Sequence, residues 1–110
     1  MILEIADIHI KTGQQADFEK AVGLALDTIF AKAKGFRGHQ FRHAIESPER
    51  YVLLLSWDTL EDHTIAFRGS ALFTEWRALV SEYFAKPPYV EHFVLVGESA
   101  IQESRTPSSN

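Results

Sequence analysis

Tyr51-Val52-Leu53-Leu54-Leu55-Ser56-Trp57 is a stretch in which apolar residues occupy both alternating sets of positions of a β-strand. A strand of this kind needs cover on both faces of its sheet. The rest of the chain predicts only one layer of helices. We therefore expect one of two sets to lie on an uncovered face: either Val52 and Leu54, or Tyr51, Leu53, Leu55 and Trp57.

The segment before this stretch predicts a strand, a helix and a second strand. Residues 2–10 alternate with a period of two, as a strand does. Apolar residues then recur at three- and four-residue spacing from Phe18 to Ala33, which is typical of an amphipathic helix. We place Lys34 in the last turn of this helix, and Gly35 can adopt the left-handed conformation that ends it. Residues 36–45 alternate again and should pair antiparallel with the apolar strand.

The segment after the apolar strand predicts a broken helix and a last strand. Asp58 or Thr59 can cap the helix, which Gly69-Ser70 then interrupts. Pro87-Pro88 cannot continue a helix, so the chain should turn there into a final strand over residues 89–96.

The order of these elements predicts an α+β fold of the ferredoxin-like type, β-α-β-β-α-β, with two helices on one face of a four-stranded antiparallel sheet. We assign this domain to residues 1–97 and expect residues 98–110, which are polar and rich in Ser, to form a flexible tail. The uncovered sheet face would exceed the roughly 400 Å² of apolar patch that monomers usually tolerate. A homodimer would bury it.

Composition and charge exclude several classes of function. A formal charge of −4 argues against a nucleic-acid surface, and the chain has no cysteine for disulfides, thiolate catalysis or metal binding. We find no signal-peptide pattern and no apolar run near the roughly 20 residues of a membrane span, so we expect a cytoplasmic protein. No metal site is expected, because His39 and His43 would lie roughly 13 Å apart on one strand.

With these elements in place, the chain resembles the antibiotic biosynthesis monooxygenase family, in the dimeric α/β barrel superfamily. The resemblance covers about residues 2–96. The segments that carry it are Ile8-His9-Ile10-Lys11-Thr12-Gly13, Lys34-Gly35-Phe36, residues 51–57, Ser70-Ala71-Leu72-Phe73-Thr74-Glu75-Trp76 and Pro88-Tyr89-Val90-Glu91-His92-Phe93.

This resemblance implies an oxidoreductase: a cofactor-independent monooxygenase that uses O₂ on a small aromatic substrate, whether phenolic, quinol or polyketide-like. Two alternatives stay open, because a fold does not fix a function. One is a non-catalytic dimeric module that binds a small molecule, and the other is a small-metabolite isomerase using the same pocket.

The resemblance also implies a pocket between the sheet and the broken helix. His63 and Phe67 share a helix face there, and His63 is the candidate base. Its alternative is a polar residue on an exposed face. His92, in the middle of the last strand, is either a second catalytic group or a hydrogen-bonded interior residue. Arg68 could bind an acidic group of the substrate, although we favour capping of the carbonyls before Gly69.

Aromatic residues are the other candidates for substrate binding. They are Tyr51, Trp57, Phe67 and Trp76. Packing in the core is the alternative for each, because aromatic stripes usually serve packing. Haem is not expected, because the positions that the haem-degrading relatives fill with asparagine and histidine correspond to about Ala6 and Arg77.

Overall fold

Four strands form an antiparallel sheet in the computed structural model, which describes residues 1–102. The order across the sheet is β2-β3-β1-β4. This arrangement confirms the ferredoxin-like α+β fold. The strands are β1 (Ile2–His9), β2 (Phe36–His43), β3 (Arg50–Trp57) and β4 (Tyr89–Val94).

Helical segments cover one face of this sheet. Helix α1 (Gln15–Thr28) follows β1, and a π-helix (Asp62–Phe67) and helix α2 (Ala71–Val80) follow β3. Gly69 and Ser70 separate the last two, so the predicted break is confirmed. Short 3₁₀ turns follow both α-helices, at Phe30–Lys32 and Ser81–Tyr83.

The first helix is shorter than predicted, and Lys34 does not lie in its last turn. Helix α1 ends at Thr28, and the 3₁₀ turn carries the chain on to Lys32. Gly35 has φ +77° and its carbonyl accepts a hydrogen bond from the backbone N–H of Asp58. A Cβ at Gly35 would also overlap the carboxylate of Asp62. Glycine is therefore required both by the backbone conformation and by the close approach of the π-helix.

The strand ends also differ from the prediction by one or two residues. Ile10 leaves β1 and forms an isolated bridge with Phe84, β2 ends at His43, and β4 ends at Val94. Residues 95–102 have no regular secondary structure and are exposed. The rest of the predicted tail, residues 103–110, lies outside the described part of the chain.

Strand β3 shows which of its two apolar sets faces the helices. Tyr51, Leu53, Leu55 and Trp57 are at most 1% exposed and form the floor of the core. Val52 and Leu54 lie on the opposite face and are only partly buried. Because β1 pairs with β3 in antiparallel register, its even-numbered residues, such as Ala6 and Ile8, join the core.

Aromatic rings fill the layer between sheet and helices in two groups. The first, called the sealed cluster, places Phe18 against Phe41, Tyr51 and Tyr83 at centroid distances of 5.1–6.0 Å. The second, called the cavity cluster, places Phe30 5.0–6.4 Å from its other members. These members are Trp57, Phe67 and Trp76.

Candidate functional site

A cavity of about 640 Å³ lies between the sheet and the broken helix. Its wall is mainly apolar and includes Leu53 and Leu55 of β3 and the rings of Phe67 and Trp76. Cavities that bind small molecules typically measure roughly 300–1,000 Å³ and have such walls with a few polar groups. The volume and the wall are therefore typical of a site for a small molecule.

A buried carboxylate lies on the floor of this cavity. Glu4 of β1 is 5% exposed, and its Oε1 accepts a hydrogen bond of 2.9 Å from the indole N–H of Trp57. Its Oε2 has no hydrogen-bond partner among residues 1–102. Every fully buried side-chain oxygen among residues 1–102 has a hydrogen-bond partner. Oε2 has none, so it is not fully buried, and because Glu4 lines the cavity we take Oε2 to be accessible from there.

His63 lies directly above this carboxylate. Its Nε2 is 3.2 Å from Oε1 of Glu4, and its ring stacks on Trp57 at a centroid distance of 5.3 Å. The side chain is 4% exposed. Glu4 and His63 thus form a close acid–base pair at the inner end of the cavity.

His92 extends this pair toward the edge of the sheet. Nδ1 of His63 and Nε2 of His92 are 2.7 Å apart, a hydrogen-bond distance in which one ring donates and the other accepts. Glu4 and His92 are directly paired residues of β1 and β4, so both side chains point to the helix-covered face. Since β4 is an edge strand, the chain of groups runs from the cavity floor to the sheet edge.

The π-helix orients His63. The backbone N–H of Arg68 donates to the carbonyl of His63 at 3.1 Å, a five-residue step that widens the turn. The hydroxyl of Thr59 accepts a hydrogen bond from the N–H of Asp62, as the predicted cap requires. His63 and Phe67 then stack at a centroid distance of 6.0 Å on the face toward the cavity.

Burial sets the proton affinities of these groups. It raises the pKa of Glu4 to about 7, against the opposing effects of the Trp57 hydrogen bond and the Arg68 charge. Burial, followed by the Arg68 charge, lowers the pKa of both His63 and His92. At neutral pH the histidines are therefore uncharged, and Glu4 is close to the midpoint of its titration.

Some of the predicted site residues line the cavity, and others lie behind its wall. His63, Phe67, Arg68 and Trp76 line the cavity. Trp57 lies behind His63, fully buried, and His92 reaches the cavity only through His63.

Tyr51 does not line the cavity. It lies in the sealed cluster, where its hydroxyl donates a hydrogen bond of 2.5 Å to Glu19.

Arg68 does not cap the carbonyls before Gly69. The carbonyl of Ile65 accepts from the N–H of Gly69, and that of Phe67 accepts from both the N–H and the hydroxyl of Ser70. No hydrogen bond of the Arg68 guanidinium is found within residues 1–102. Arg68 instead lines the cavity and is exposed to solvent.

Three residues that were not predicted as site residues also line this cavity: Glu4, Arg77 and Lys86. A signal for Glu4 was present, because it shares its strand face with Ala6 and Ile8 and is the only charged residue in that apolar set. Lys86 and Arg77 carry no comparable signal, since exposed cations are common in any soluble chain.

The donor groups of the site do not form a metal centre. Within residues 1–102 no group of three or more His, Cys, Asp or Glu side chains is arranged to hold a metal ion. Ala6 and Arg77, the positions compared with the haem-degrading relatives, both line the cavity and offer no imidazole ligand for iron.

Comparison with known proteins relates the whole domain to one family. The sequence model of the family described as "Antibiotic biosynthesis monooxygenase" matches residues 1–79. Uncharacterized protein YczJ of Bacillus subtilis strain 168 is 42% identical over 93 residues, which cover 84% of this chain and 97% of that protein.

Solved structures agree with this relationship. The crystal structure of a candidate antibiotic biosynthesis monooxygenase from Bordetella bronchiseptica is 45% identical, with a TM-score of 0.83 over 86% of this chain and 96% of that one. A candidate family member from Nitrosomonas europaea is 19% identical, with a TM-score of 0.76 over 90% and 93% of the two chains. At that identity the second likeness supports the fold alone.

The helices of the described residues are too short or too polar to span a bilayer.

Proposed function

The chain belongs to the antibiotic biosynthesis monooxygenase family, and from that membership and the cavity geometry we propose that it is a cofactor-independent monooxygenase. Its substrate would be a small aromatic compound of phenolic, quinol or polyketide-like type. The observation that carries the proposal is the pair formed by Glu4 and His63, which are 3.2 Å apart at the inner end of an aromatic-walled cavity.

The chemistry needs a base more than any other group. A phenol loses its proton more readily when a carboxylate of raised pKa accepts it, because the proton affinities of donor and acceptor are then closer. Oε2 of Glu4 retains contact with the cavity and burial raises the pKa of this carboxyl to about 7, so Glu4 can accept the proton near neutral pH. His63, whose Nε2 is 3.2 Å from Oε1 of Glu4, then helps to hold the carboxylate in place.

The resulting anion supplies all the electrons of the reaction. It gives one electron to O₂, and the substrate radical and superoxide then combine through a new carbon–oxygen bond. The peroxide takes back the proton that Glu4 holds and loses water together with the hydrogen of the attacked carbon. One oxygen atom stays on the substrate as a carbonyl, the other leaves in the water, and Glu4 is again ionised for the next turnover. The apolar walls keep bulk water out and hold the ring close to O₂, which favours this sequence.

His92 would hold His63 in position beside Glu4. It lies 2.7 Å from His63 and on the edge strand, so it links the inner pair to the edge of the sheet.

Oxygen uptake with a panel of hydroquinones and anthrone-like compounds tests the proposal. We expect Glu4→Gln to lower kcat by about 100-fold or more, because glutamine keeps the shape and the Trp57 hydrogen bond but cannot accept the proton. In the wild type, kcat should rise with pH through about 7, as Glu4 ionises. The control is Glu19→Gln, which makes the same chemical change outside the cavity and should leave kcat unchanged.

Other outcomes would point to a different function. Absence of oxygen uptake above the blank, or equal rates in Glu4→Gln and the wild type, would contradict the proposal. Tight binding without turnover would indicate a binding module, and turnover without O₂ would indicate an isomerase.

We also propose that a second copy of the chain covers the outer face of the sheet. Leu3, Ile5, Val52 and Leu54 form the centre of that face and remain partly exposed. Tyr89 and Phe93 of β4 stand beside them, 64% and 43% exposed. Such a row of apolar residues favours association, since a second copy would remove them from water. Stable dimers bury about 800 Å² on each partner.

Sedimentation velocity at micromolar concentration tests this assembly. We expect a species of twice the 12.5 kDa chain mass in the wild type and a monomer in Leu54→Glu. Leu24→Glu is the matched control, since Leu24 lies exposed on α1 and should leave the dimer intact. A monomeric wild type would overturn the proposal.

A further inference from the structure

Three basic residues line the cavity and are exposed to solvent, and together we call them the cationic rim. They come from separate segments: Arg68 follows the π-helix, Arg77 lies on α2, and Lys86 lies in the loop before β4. We propose that the substrate is an anionic aromatic compound whose acidic group, such as a carboxylate, binds at this cationic rim while its phenolic ring enters the cavity. This inference rests on the proposed function and names the substrate class for the same site.

Within residues 1–102 the rim cations lack the carboxylate partners that Arg37 and Arg50 have. Arg37 donates to both carboxylate oxygens of Asp58 at 2.6 and 2.9 Å, and Arg50 does the same to Asp7 at 2.9 and 3.0 Å. Among residues 1–102, by contrast, no carboxylate oxygen lies within 4.0 Å of the three rim cations. Their hydrogen-bonding capacity is therefore open to a ligand.

The local charge is opposite in sign to that of the whole chain. The formal net charge is −4, yet the three rim cations line a cavity in which Glu4 is the only acidic lining residue among residues 1–102. Even with Glu4 ionised, positive charge is in excess. A rim of this kind concentrates anions and raises their rate of entry.

Exposed and solvated arginines are common in proteins, so exposure alone does not indicate a binding site. Here, however, all three cations border one apolar cavity. Arg77 is also held in place, because its guanidinium carbon lies 5.9 Å from the ring centroid of Phe73, another lining residue. An arginine fork offers two parallel donors to a carboxylate, which gives the ligand a fixed orientation.

The position of the cationic rim relative to Glu4 supports one orientation of the bound substrate. Arg68 lines the same cavity as Glu4 and His63, and its positive charge lowers the pKa of both residues and of His92. A ligand with its acid at the cationic rim would therefore direct its far end, the ring hydroxyl, toward Glu4. The acid group anchors the substrate while the hydroxyl is positioned for deprotonation.

Calorimetric titration without oxygen tests the inference on the full chain. The probes are 2,5-dihydroxybenzoate and 2,5-dihydroxybenzamide, which share the ring and differ only in the charge of one group. We expect the acid to bind at least about 10-fold more tightly than the amide at low salt, with the difference shrinking in high salt. The double variant Arg68→Gln with Arg77→Gln should lose this preference.

A double variant of the same charge change provides the control. Lys20→Gln with Lys32→Gln removes two exposed cations from α1 and the turn after it, and it should keep the preference. Circular dichroism of each variant verifies that it folds, as expected for exposed positions.

Equal binding of acid and amide to the wild type, a preference that survives in the rim variant, or no binding of either probe at millimolar concentration would each overturn the inference. The two proposals can fail separately. Oxygen uptake without an acid preference would contradict only the substrate class, and an acid preference without oxygen uptake would contradict only the monooxygenase activity.

Discussion

The sealed cluster and the cavity cluster occupy the same layer of the molecule, and both consist mainly of aromatic rings. In the sealed cluster Phe18 is fully buried among three rings, and the Tyr51 hydroxyl reaches outward to Glu19. In the cavity cluster the rings of Phe30, Phe67 and Trp76 border an open space, with a buried carboxyl and imidazole beside them. Similar side chains thus serve packing at one end and enclose a reactive site at the other.

The difference between the clusters shows that the candidate site contains features that lower the stability of the fold. Apolar burial is favourable in both clusters, but a buried carboxyl is unfavourable to ionise and a cavity forfeits packing contacts. Such costs are typical of functional sites, where groups with shifted pKa values gather. The comparison predicts that the two clusters respond to matched substitutions by different amounts.

The largest expected effect is that of truncating a ring in the sealed cluster. Phe18→Ala should lower the free energy of unfolding by about 3–5 kcal/mol, because it removes a fully buried ring and leaves a new void. Phe67→Ala should cost less, about 1–3 kcal/mol, because its ring already borders an open space, and it should also weaken ligand binding.

Urea denaturation of both variants measures their losses in the free energy of unfolding. Calorimetric titration with 2,5-dihydroxybenzoate measures the ligand affinity of Phe67→Ala. Equal stability losses in the two variants would remove the distinction between a sealed and an open cluster. So would unchanged ligand affinity in Phe67→Ala.

The next effect concerns the buried carboxyl. The pKa of Glu4 rises from an ordinary 4.5 to about 7 on folding, so between these pH values the folded chain holds a proton that the unfolded chain has lost. Stability therefore falls as pH rises through this window. Glu4→Gln carries no charge to bury, so it should be more stable than the wild type at pH 8, by on the order of 3 kcal/mol.

Urea denaturation at pH 4 and at pH 8 checks this sign. At pH 4 the two proteins should be similar, since Glu4 is then protonated in both states. Glu19→Gln is the matched control near the sealed cluster and should show no such gain at pH 8. A Glu4→Gln variant less stable than the wild type at pH 8 would contradict the assigned role of burial.

Much of the fold could be predicted from the spacing of apolar residues and from the residues that break helices and strands. The alternation of residues 2–10, the double apolar pattern of 51–57 and the break at Gly69-Ser70 each correspond to an element in the structure. Local pattern was less reliable at the element ends. Apolar spacing continues to Ala33 although α1 stops at Thr28, because a 3₁₀ turn buries side chains at nearly the same spacing.

The candidate site was only partly accessible to such reasoning. His63 and Phe67 could be placed on one helix face from their spacing. Glu4 belongs to the site because antiparallel register sets it opposite His92 and within reach of His63, and register is a long-range property. The same holds for the basic rim, whose members come from three separate segments.

The sequence alone determined the order of the elements and the two-sided apolar character of β3, because the periods of strand and helix are local properties of the chain. Tertiary structure decided which side of β3 meets the helices, which aromatic rings enclose a cavity and which only pack. It also decided that a carboxyl on β1 meets an imidazole on the π-helix. The physical reason is that contacts between distant segments depend on register and packing, which no single segment specifies.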